Sequence, residues 1–254
     1  MIFDTHAHYD DDAFDEDREE LLGSMQANGV GKIVNIGASL NSCKQTIELM
    51  QKYDFVYGAI GVHPNEVEEL SEESFAQLKE WCKSEKCVAV GEIGLDYYYD
   101  EPTPEIQKIW FIRQLNLARE IFKPVVIHSR DAAKDTIDIM KEQHAEEIGG
   151  VVHCFSYTKE TAKIMLDMGF YIGIGGVLTF KNGVKLKEAA DFIPMDRIVL
   201  ETDCPYLAPV PFRGKRNSSL YLPYVVSALA EIKGISEEEV RRITWENAHR
   251  MYRI

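Results

Sequence analysis

Short hydrophobic runs alternate with longer amphipathic segments along the whole chain. The short runs are rich in Val and Ile and predict buried strands, whereas the segments between them have the apolar spacing of helices. This alternation is typical of a parallel sheet with helical crossovers. Eight strands are predicted, at residues 2–8, 32–37, 56–63, 88–95, 124–130, 150–155, 171–175 and 198–204.

The segments between the predicted strands carry helix start and stop signals. Gly29, Gly169 and Gly234 each follow an amphipathic segment, as glycines at helix ends commonly do. Ser236 and Glu239 form a capping-box pattern before the last segment. Nine helices are predicted, at residues 18–28, 43–53, 74–84, 106–122, 132–143, 159–168, 184–192, 222–233 and 237–249.

Eight strand-then-helix units in a chain of 254 residues fit a closed TIM (β/α)₈ barrel better than an open doubly wound sheet. We therefore predict an α/β fold of this kind, formed by one domain over residues 1–254, since no linker, repeat or low-complexity tract interrupts the pattern. The longest irregular segment, residues 205–222, follows the last predicted strand, where barrel loops lie at the catalytic face.

Composition and charge narrow the functional classes. The 45% hydrophobic and 28% charged residues are ordinary for a folded domain, and the net charge of −14 excludes broad coating of nucleic acid, so any phosphate binding must be local. Five cysteines at irregular spacings predict reduced thiols. The absence of a leader-like start and of a long apolar run predicts a cytoplasmic protein with no membrane partner, and no obligate protein partner is evident.

Potential metal ligands recur at the carboxyl ends of the predicted strands, and in a barrel these ends meet at one mouth. His6 and His8 are two residues apart on one strand, so both imidazoles face the same side. The mixed nitrogen and oxygen set suits Zn²⁺, Mn²⁺, Fe²⁺ or Co²⁺, and Mg²⁺ if the carboxylates dominate. Six ligands exceed the needs of one catalytic ion, so we expect two divalent ions with Glu92 as the bridge. The expected ligands are His6, His8, Glu92, His128, His153 and Asp203.

Other polar residues have two possible roles. His63 ends the third predicted strand and is either a phosphate or proton-transfer contact or a cap on the barrel interior. Arg130 lies two residues beyond a predicted ligand, and Arg213, Lys215 and Arg216 lie in the loop after the last strand; they either bind an anionic substrate or belong to a solvated basic surface. In a protein of this acidity, basic residues at the mouth favour phosphate.

Residues adjacent to ligands on a strand should face the opposite way. This alternation places Cys154 and Cys204 in the layer between strands and helices. Asp4 and Glu201 share faces with the ligands, and each is either a hydrogen-bonding partner of the ligands or a solvated or capping carboxylate.

Seven sequence blocks, spread in order over nearly the whole chain, resemble the TatD-related deoxyribonucleases. They are D-T-H-A-H at 4–8, G-V-H-P at 61–64, G-E-I-G-L-D-Y at 91–97, V-I-H-S-R-D-A at 126–132, H-C-F-S at 153–156, L-E-T-D-C-P-Y-L at 200–207 and R-G-K-R-N at 213–217. Tyr157 stands where the family pattern has Gly, and Ser218 where it has Glu. These departures bear on substrate fit and on how the loop is anchored.

The resemblance implies a metal-dependent barrel that cleaves DNA phosphodiester bonds with a metal-activated water, as a 3′–5′ exonuclease on single-stranded DNA. It implies one ion on His6, His8 and Asp203, a second on His128 and His153, and Glu92 between them. Asp203 and Glu92 are the expected catalytic residues. The alternatives are a small-molecule amidohydrolase or phosphoesterase, whose dinuclear members often bridge the ions with a carbamylated Lys, and a barrel that binds partners without catalysis.

Overall fold

The computed structural model describes residues 1–254 and contains one parallel sheet of eight strands. The strands are neighbours in chain order, and each begins soon after the helix that precedes it. They are β1 Ile2–Ala7, β2 Val30–Ile36, β3 Val56–Ile60, β4 Cys87–Asp96, β5 Val125–Arg130, β6 Gly150–Val152, β7 Tyr171–Ile174 and β8 Ile198–Leu200.

Nine α-helices connect and surround the strands. Serines cap several of them: the Ser236 side chain accepts from the backbone N–H of Glu239, and Gly234 ends the preceding helix in a left-handed conformation, both as predicted. None of the helices is both long and apolar enough to cross a membrane. They are α1 Arg18–Ser24, α2 Leu40–Lys52, α3 Glu72–Trp81, α4 Pro104–Glu120, α5 Ala133–Glu142, α6 Lys159–Asp167, α7 Val184–Phe192, α8 Leu222–Lys233 and α9 Glu237–Tyr252.

The sheet closes on itself where β1 meets the end of β8. Ala7 and Cys204 form a parallel bridge, and the backbone N–H of Asp203 donates to the carbonyl of His6 over 2.9 Å. The N–H of His8 in turn donates to the carbonyl of Cys204 over 2.9 Å. The predicted TIM barrel is therefore confirmed, and its closing seam is made by the residues that carry the candidate ligands.

Helix α9 fills the amino-terminal end of the barrel. The Phe3 ring lies 5.8 Å from Trp245 and 6.1 Å from Tyr252, measured between ring centroids, and Phe3 is buried. The Tyr252 hydroxyl donates to the carbonyl of Thr5 over 2.7 Å. Apolar side chains from five other strands join this cluster, namely Val34, Ala59, Val88, Val126 and Val199. The apolar floor leaves the carboxyl-terminal end of the barrel as the only end open for polar chemistry.

Three strands end at least three residues earlier than their hydrophobic runs predict. The third strand ends at Ile60, which leaves His63 in the segment that follows. The sixth and eighth strands end at Val152 and Leu200, so His153 and Asp203 lie just beyond regular strand. Cys154 and Asp203 both have positive φ, near 43° and 57°. The chain therefore turns at these points, and strict alternation of side-chain direction does not extend through them.

Replacing Phe3 with Ala tests the role of the floor. Loss of a buried ring leaves a cavity that costs about 3–5 kcal/mol of unfolding free energy. Chemical denaturation followed by circular dichroism measures this value. Phe192→Ala is the control, since its side chain is 46% exposed and a change within about 0.5 kcal/mol is expected. A Phe3→Ala cost no larger than that of the control would contradict the assignment.

Candidate metal centre

The carboxyl ends of five strands bring four histidines and two carboxylates together, and His63 lies beside them after β3. Most of these side chains are buried. Burial of imidazole and carboxylate groups is costly unless hydrogen bonds or opposite charges compensate it. The six that the sequence identified as ligands do converge, namely His6, His8, Glu92, His128, His153 and Asp203.

Three of the ligand atoms form one face of the cluster. The Nε2 atoms of His6 and His8 are 3.0 Å apart, and Asp203 Oδ1 lies 3.5 Å from the first and 3.4 Å from the second. Ligand atoms about 2.1 Å from one ion are separated by about 3.0–3.4 Å in octahedral or tetrahedral geometry. The spacing of this triad therefore matches the coordination sphere of one small divalent ion.

The second face has the same character. Glu92 Oε1 lies 2.7 Å from His128 Nδ1 and 2.6 Å from His153 Nε2, and those two nitrogens are 3.0 Å apart. His63 Nε2 is 3.7 Å from the same carboxylate oxygen. This group can hold a second ion, with His63 beside it.

Glu92 connects the two faces. Its Oε2 lies 3.4 Å from His6 Nε2, while its Oε1 faces His128 and His153. Burial alone would raise the pKa of Glu92, but the charge of His153 and hydrogen bonds from His128 and His153 hold it well below its ordinary value. The carboxylate is therefore ionised and presents one oxygen to each ligand group, as a bridging ligand must.

Hydrogen bonds select the ring nitrogen that each histidine presents. His8 Nδ1 lies 3.0 Å from the carbonyl of Ile36 and donates to it, which directs Nε2 at the ligand cluster. His128 Nε2 donates to Asp96 Oδ2 over 3.2 Å and directs Nδ1 at Glu92. These partners orient the rings before any ion binds.

His63 has the opposite arrangement. Its Nδ1 accepts from the backbone N–H of Asn65 over 3.1 Å, so in the neutral ring the proton is on Nε2, facing Glu92. Burial, followed by the nearby charge of His128, lowers the pKa of His63 to about 3. The side chain is therefore a neutral hydrogen-bond donor at the edge of the centre.

The facing imidazoles of His6 and His8 also fit a cation. Two imidazole nitrogens that face each other at 3.0 Å repel unless a proton or a metal ion lies between them, and His6 and His8 are in this position. Burial, followed by the charge of His153, lowers the pKa of His6 to about 4, so its lone pair is available. The residues present therefore fit the divalent ions that the sequence predicted.

Sequence reasoning missed Asp96, which orients His128. Asp96 is buried and also accepts from the backbone N–H of Tyr98 over 2.9 Å. The signal was available, because Asp96 lies four residues after Glu92 on the same strand and side chains at even spacing share a face.

The prediction for Cys154 was wrong, whereas that for Cys204 is confirmed. Cys204 is fully buried in the apolar cluster around Tyr9. Cys154 is only partly buried, and burial together with the charges of Asp203 and Glu201 raises its pKa well above the ordinary value. It follows the end of β6 in a left-handed conformation, so the alternation rule did not apply to it.

The two carboxylates with open roles are both buried rather than solvated. Asp4 accepts from the Thr202 backbone N–H over 3.0 Å and from the Ser219 hydroxyl over 2.6 Å, and so ties β1 to the loop after β8. Glu201 accepts from the backbone N–H of Cys154, and a Cβ at Gly173 would come within 2.2 Å of its Oε2. The glycine in β7 therefore makes room for this carboxylate.

A cavity of about 620 Å³ opens above the ligands. Arg130 is the only predicted basic contact that lines it, and its guanidinium carbon lies 3.7 Å from the ring centre of Tyr98. The acidic lining residues include Asp10, Asp11 and Glu66. The cavity lining thus has a single Arg side chain among several carboxylates. This agrees with the expectation, from the net charge of −14, that any phosphate binding is local.

The three basic residues after β8 lie outside this cavity lining. Arg216 Nη1 donates over 2.7 Å to Asp17 and to the carbonyl of Ala13. Arg213 packs over the ring of Phe180, with its guanidinium carbon 4.4 Å from the ring centre, and Lys215 Nζ lies 5.9 Å from that of Phe212. Their role in substrate binding stays a prediction.

The two departures from the family pattern have local partners. The Tyr157 hydroxyl is 3.0 Å from Ser129 Oγ, so the extra side chain joins β5 to the loop after β6. Ser218 accepts from the backbone N–H of Leu220 over 3.1 Å, while Asn217 donates to the carbonyl of Thr202 over 3.0 Å. The loop is anchored without the carboxylate.

Known proteins match the chain over its whole length. The family model described as TatD related DNase matches residues 3–253. A Bacillus subtilis protein named uncharacterized metal-dependent hydrolase YabD is 45% identical, with 100% of both chains covered. A Cronobacter sakazakii protein named 3'-5' ssDNA/RNA exonuclease TatD is 32% identical, covering 99% of this chain and 97% of the relative.

A solved structure has the same architecture. The TatD homologue YJJV of Escherichia coli superposes with a TM-score of 0.94 at 30% identity, covering 100% of this chain and 98% of the other. The ligand cluster, the barrel and these matches lead to one conclusion. The chain is a metal-dependent hydrolase that belongs to the TatD-related DNase family.

Proposed function

We propose that residues 1–254 form one barrel domain in the cytoplasm that cleaves single-stranded DNA from the 3′ end with two divalent ions, Mg²⁺, Mn²⁺ or Zn²⁺. The observation that supports this most directly is the carboxylate of Glu92, whose two oxygens face two separate groups of ligand atoms. Two adjacent ions are suited to phosphodiester cleavage, because one can serve the attacking oxygen and the other the leaving oxygen.

Each ion has a defined set of protein ligands in this proposal. His6, His8 and Asp203 would hold one ion, and His128 and His153 would hold the other, with Glu92 contributing to both groups. When bound, the ions supply Lewis-acid activation of water and neutralise charge on the phosphate oxygens.

The side chains of the protein supply proton transfer and positioning. Asp203 lies at the border of the cavity. Burial would raise its pKa, but the hydrogen bond from His8 and the charge of His153 lower it. It is thus ionised and can accept the proton of the attacking water. Arg130 offers paired donors to a phosphate, and the Nε2–H of His63 can donate to a phosphate oxygen or to the leaving group.

The nucleic-acid substrate is inferred from the family and from a relative named as an ssDNA/RNA exonuclease. The alternative is an amidohydrolase or another phosphoesterase. Metal-free protein reloaded with Mg²⁺, Mn²⁺, Zn²⁺ or Co²⁺, and offered single-stranded DNA, duplex DNA, RNA and simple amides, separates these possibilities. Hydrolysis of amides without cleavage of any nucleic acid would refute the proposal.

Metal content tests the shared role of Glu92. Wild-type protein is expected to bind two ions per chain, and Glu92→Gln is expected to lose most of the affinity for at least one ion, because Glu92 serves both groups. Elemental analysis after dialysis, together with calorimetric titration, measures this. Glu66→Gln removes a carboxylate from the same cavity outside the cluster and should retain two ions. Saturation at one ion in the wild type would contradict the two-ion assignment.

Asp203→Asn tests the proton acceptor. The change keeps size and one oxygen ligand but removes the charge, so turnover on a single-stranded oligonucleotide should fall about 10²- to 10⁴-fold with little change in binding at saturating metal. Metal content must be measured on the same sample, because metal loss would imitate the effect. Asp100→Asn, exposed in a neighbouring loop, is the control. Near-normal cleavage by fully loaded Asp203→Asn would exclude this role.

Salt dependence separates the basic residues. Each phosphate contact on single-stranded DNA contributes a slope of about 0.7 in the logarithm of affinity against that of salt concentration. Arg130→Gln should lower the slope by about that amount. The pair Lys215→Gln and Arg216→Gln should lower it further, mainly through Lys215, because Asp17 already compensates Arg216.

The matched control for these substitutions is Lys83→Gln, an exposed change after α3 at the opposite end of the barrel. Fluorescence anisotropy at several salt concentrations gives each slope. If the salt-dependence slope of the Lys215→Gln and Arg216→Gln double variant equals that of Lys83→Gln, the loop after β8 is solvated and does not contact DNA.

A further inference from the structure

Tyrosine side chains are exposed on two loops at the mouth of the cavity. Tyr99, in the loop after β4, is 53% exposed, and Tyr206, in the loop after β8, is 56% exposed. Both line the cavity that also contains His128 and Asp203. Single exposed aromatic residues are common on protein surfaces, whereas these two lie on separate loops and border the same cavity.

Both tyrosines are held close to the ligand cluster. The backbone N–H of Tyr206 donates to the carbonyl of Asp203 over 2.9 Å, and the Tyr206 hydroxyl donates to Asp11 Oδ2 over 2.9 Å. On the other side, the Tyr98 backbone N–H donates to Asp96 Oδ1 over 2.9 Å, and the rings of Tyr98 and Tyr99 pack edge to face with centroids 4.9 Å apart. The rings are therefore ordered before a ligand arrives, which reduces the entropy lost on binding.

The neighbouring cation is positioned by the same loop. The Arg130 guanidinium lies over the ring of Tyr98, and its carbon is 5.8 Å from the ring centre of Tyr99, so Tyr98 orients a phosphate donor in the cavity lining next to Tyr99. Asp11 and Glu66 line the cavity as well and repel a phosphate backbone. With so little positive charge available, contacts with the bases must supply much of the affinity for a nucleic acid.

We propose that Tyr99 and Tyr206 form a nucleobase-stacking subsite at the mouth of the cavity, while Tyr98 positions Arg130 for the adjacent phosphate. This inference rests on the proposed nucleic-acid function and specifies its substrate class. Stacking on a side chain requires a base whose face is free, as in a single strand or a frayed end, and every base has such a face. The subsite therefore selects single strands with little preference for sequence.

The experiment compares two fluorescein-labelled chains of about six residues with phosphorothioate links, which resist hydrolysis and keep the number of charges equal. One is a thymidylate chain, and the other carries abasic sugars at every position. Anisotropy with saturating Mn²⁺ gives the affinity of the wild type, of Tyr99→Ala and of Tyr206→Ala. Tyr99→Phe and Tyr206→Phe retain the ring without the hydroxyl. Tyr224→Ala, also an exposed tyrosine but outside the cavity lining, is the control.

Wild-type protein is expected to bind the thymidylate chain at least about fivefold more tightly than the abasic chain, because each stacked base contributes at least that factor. Each Ala variant should lose about fivefold or more on the thymidylate chain and keep its affinity for the abasic chain. Tyr99→Phe and Tyr224→Ala should bind both chains like the wild type. Tyr206→Phe keeps the ring but loses the hydroxyl bond to Asp11, so it should lose less affinity for the thymidylate chain than Tyr206→Ala.

Three results would overturn the proposal: equal affinity of the wild type for both chains, equal weakening of both chains by the Ala variants, or no binding of either chain. Hydrolysis of an unmodified thymidylate chain, measured in parallel, separates this inference from the proposed function. Cleavage without base-dependent binding removes the stacking subsite alone. Base-dependent binding without cleavage supports the subsite and rejects the nuclease assignment.

Discussion

The buried carboxylate of Glu92 is the constraint on which the rest of the site depends. An ionised carboxylate that is 3% exposed costs several kcal/mol in desolvation unless partners compensate it. Imidazoles on four other strands or strand ends surround its two oxygens, and Asp203 lies across the centre. The partners compensate one another only in this arrangement, so the centre specifies the relative positions of the strand ends as well as the chemistry.

The backbone hydrogen bonds that close the barrel also set the relative positions of the ligands. The backbone bonds that join β1 to the chain after β8 involve His6, His8 and Asp203 themselves, and Asp4 ties the same seam to Thr202 and Ser219. A shift at the seam would therefore separate the ligands of one ion. Because α9 closes the other end of the barrel on an apolar cluster, the polar seam lies next to the open mouth, where substrate enters.

The barrel and its ligands could be predicted from sequence because both follow from local periodicity. Hydrophobic runs gave the strands, and ligands at the ends of parallel strands must meet. Contacts set by distant segments could not be predicted in this way: Arg216 pairs with Asp17, 199 positions away. The error at Cys154 has a local cause, since β6 ends before that residue and the side-chain alternation ends with it. The same periodicity could have predicted that Asp96 shares a face with Glu92, but Asp96 was not among the residues predicted from the sequence.

Charge distribution bears on how an acidic protein would take the anionic substrate proposed for it. The chain carries a net charge of −14, and its cavity contains more carboxylates than cations. Divalent ions at the six ligands would reverse the sign of the potential at the centre, while Asp11 and Glu66 keep the surrounding rim negative. For the proposed phosphodiester substrate, metal loading and phosphate binding would then be coupled, because the ligand-bearing cavity repels phosphate without the ions. Electrostatic attraction would be strongest near the ions and Arg130, and the acidic protein would not retain nucleic acid broadly along its surface.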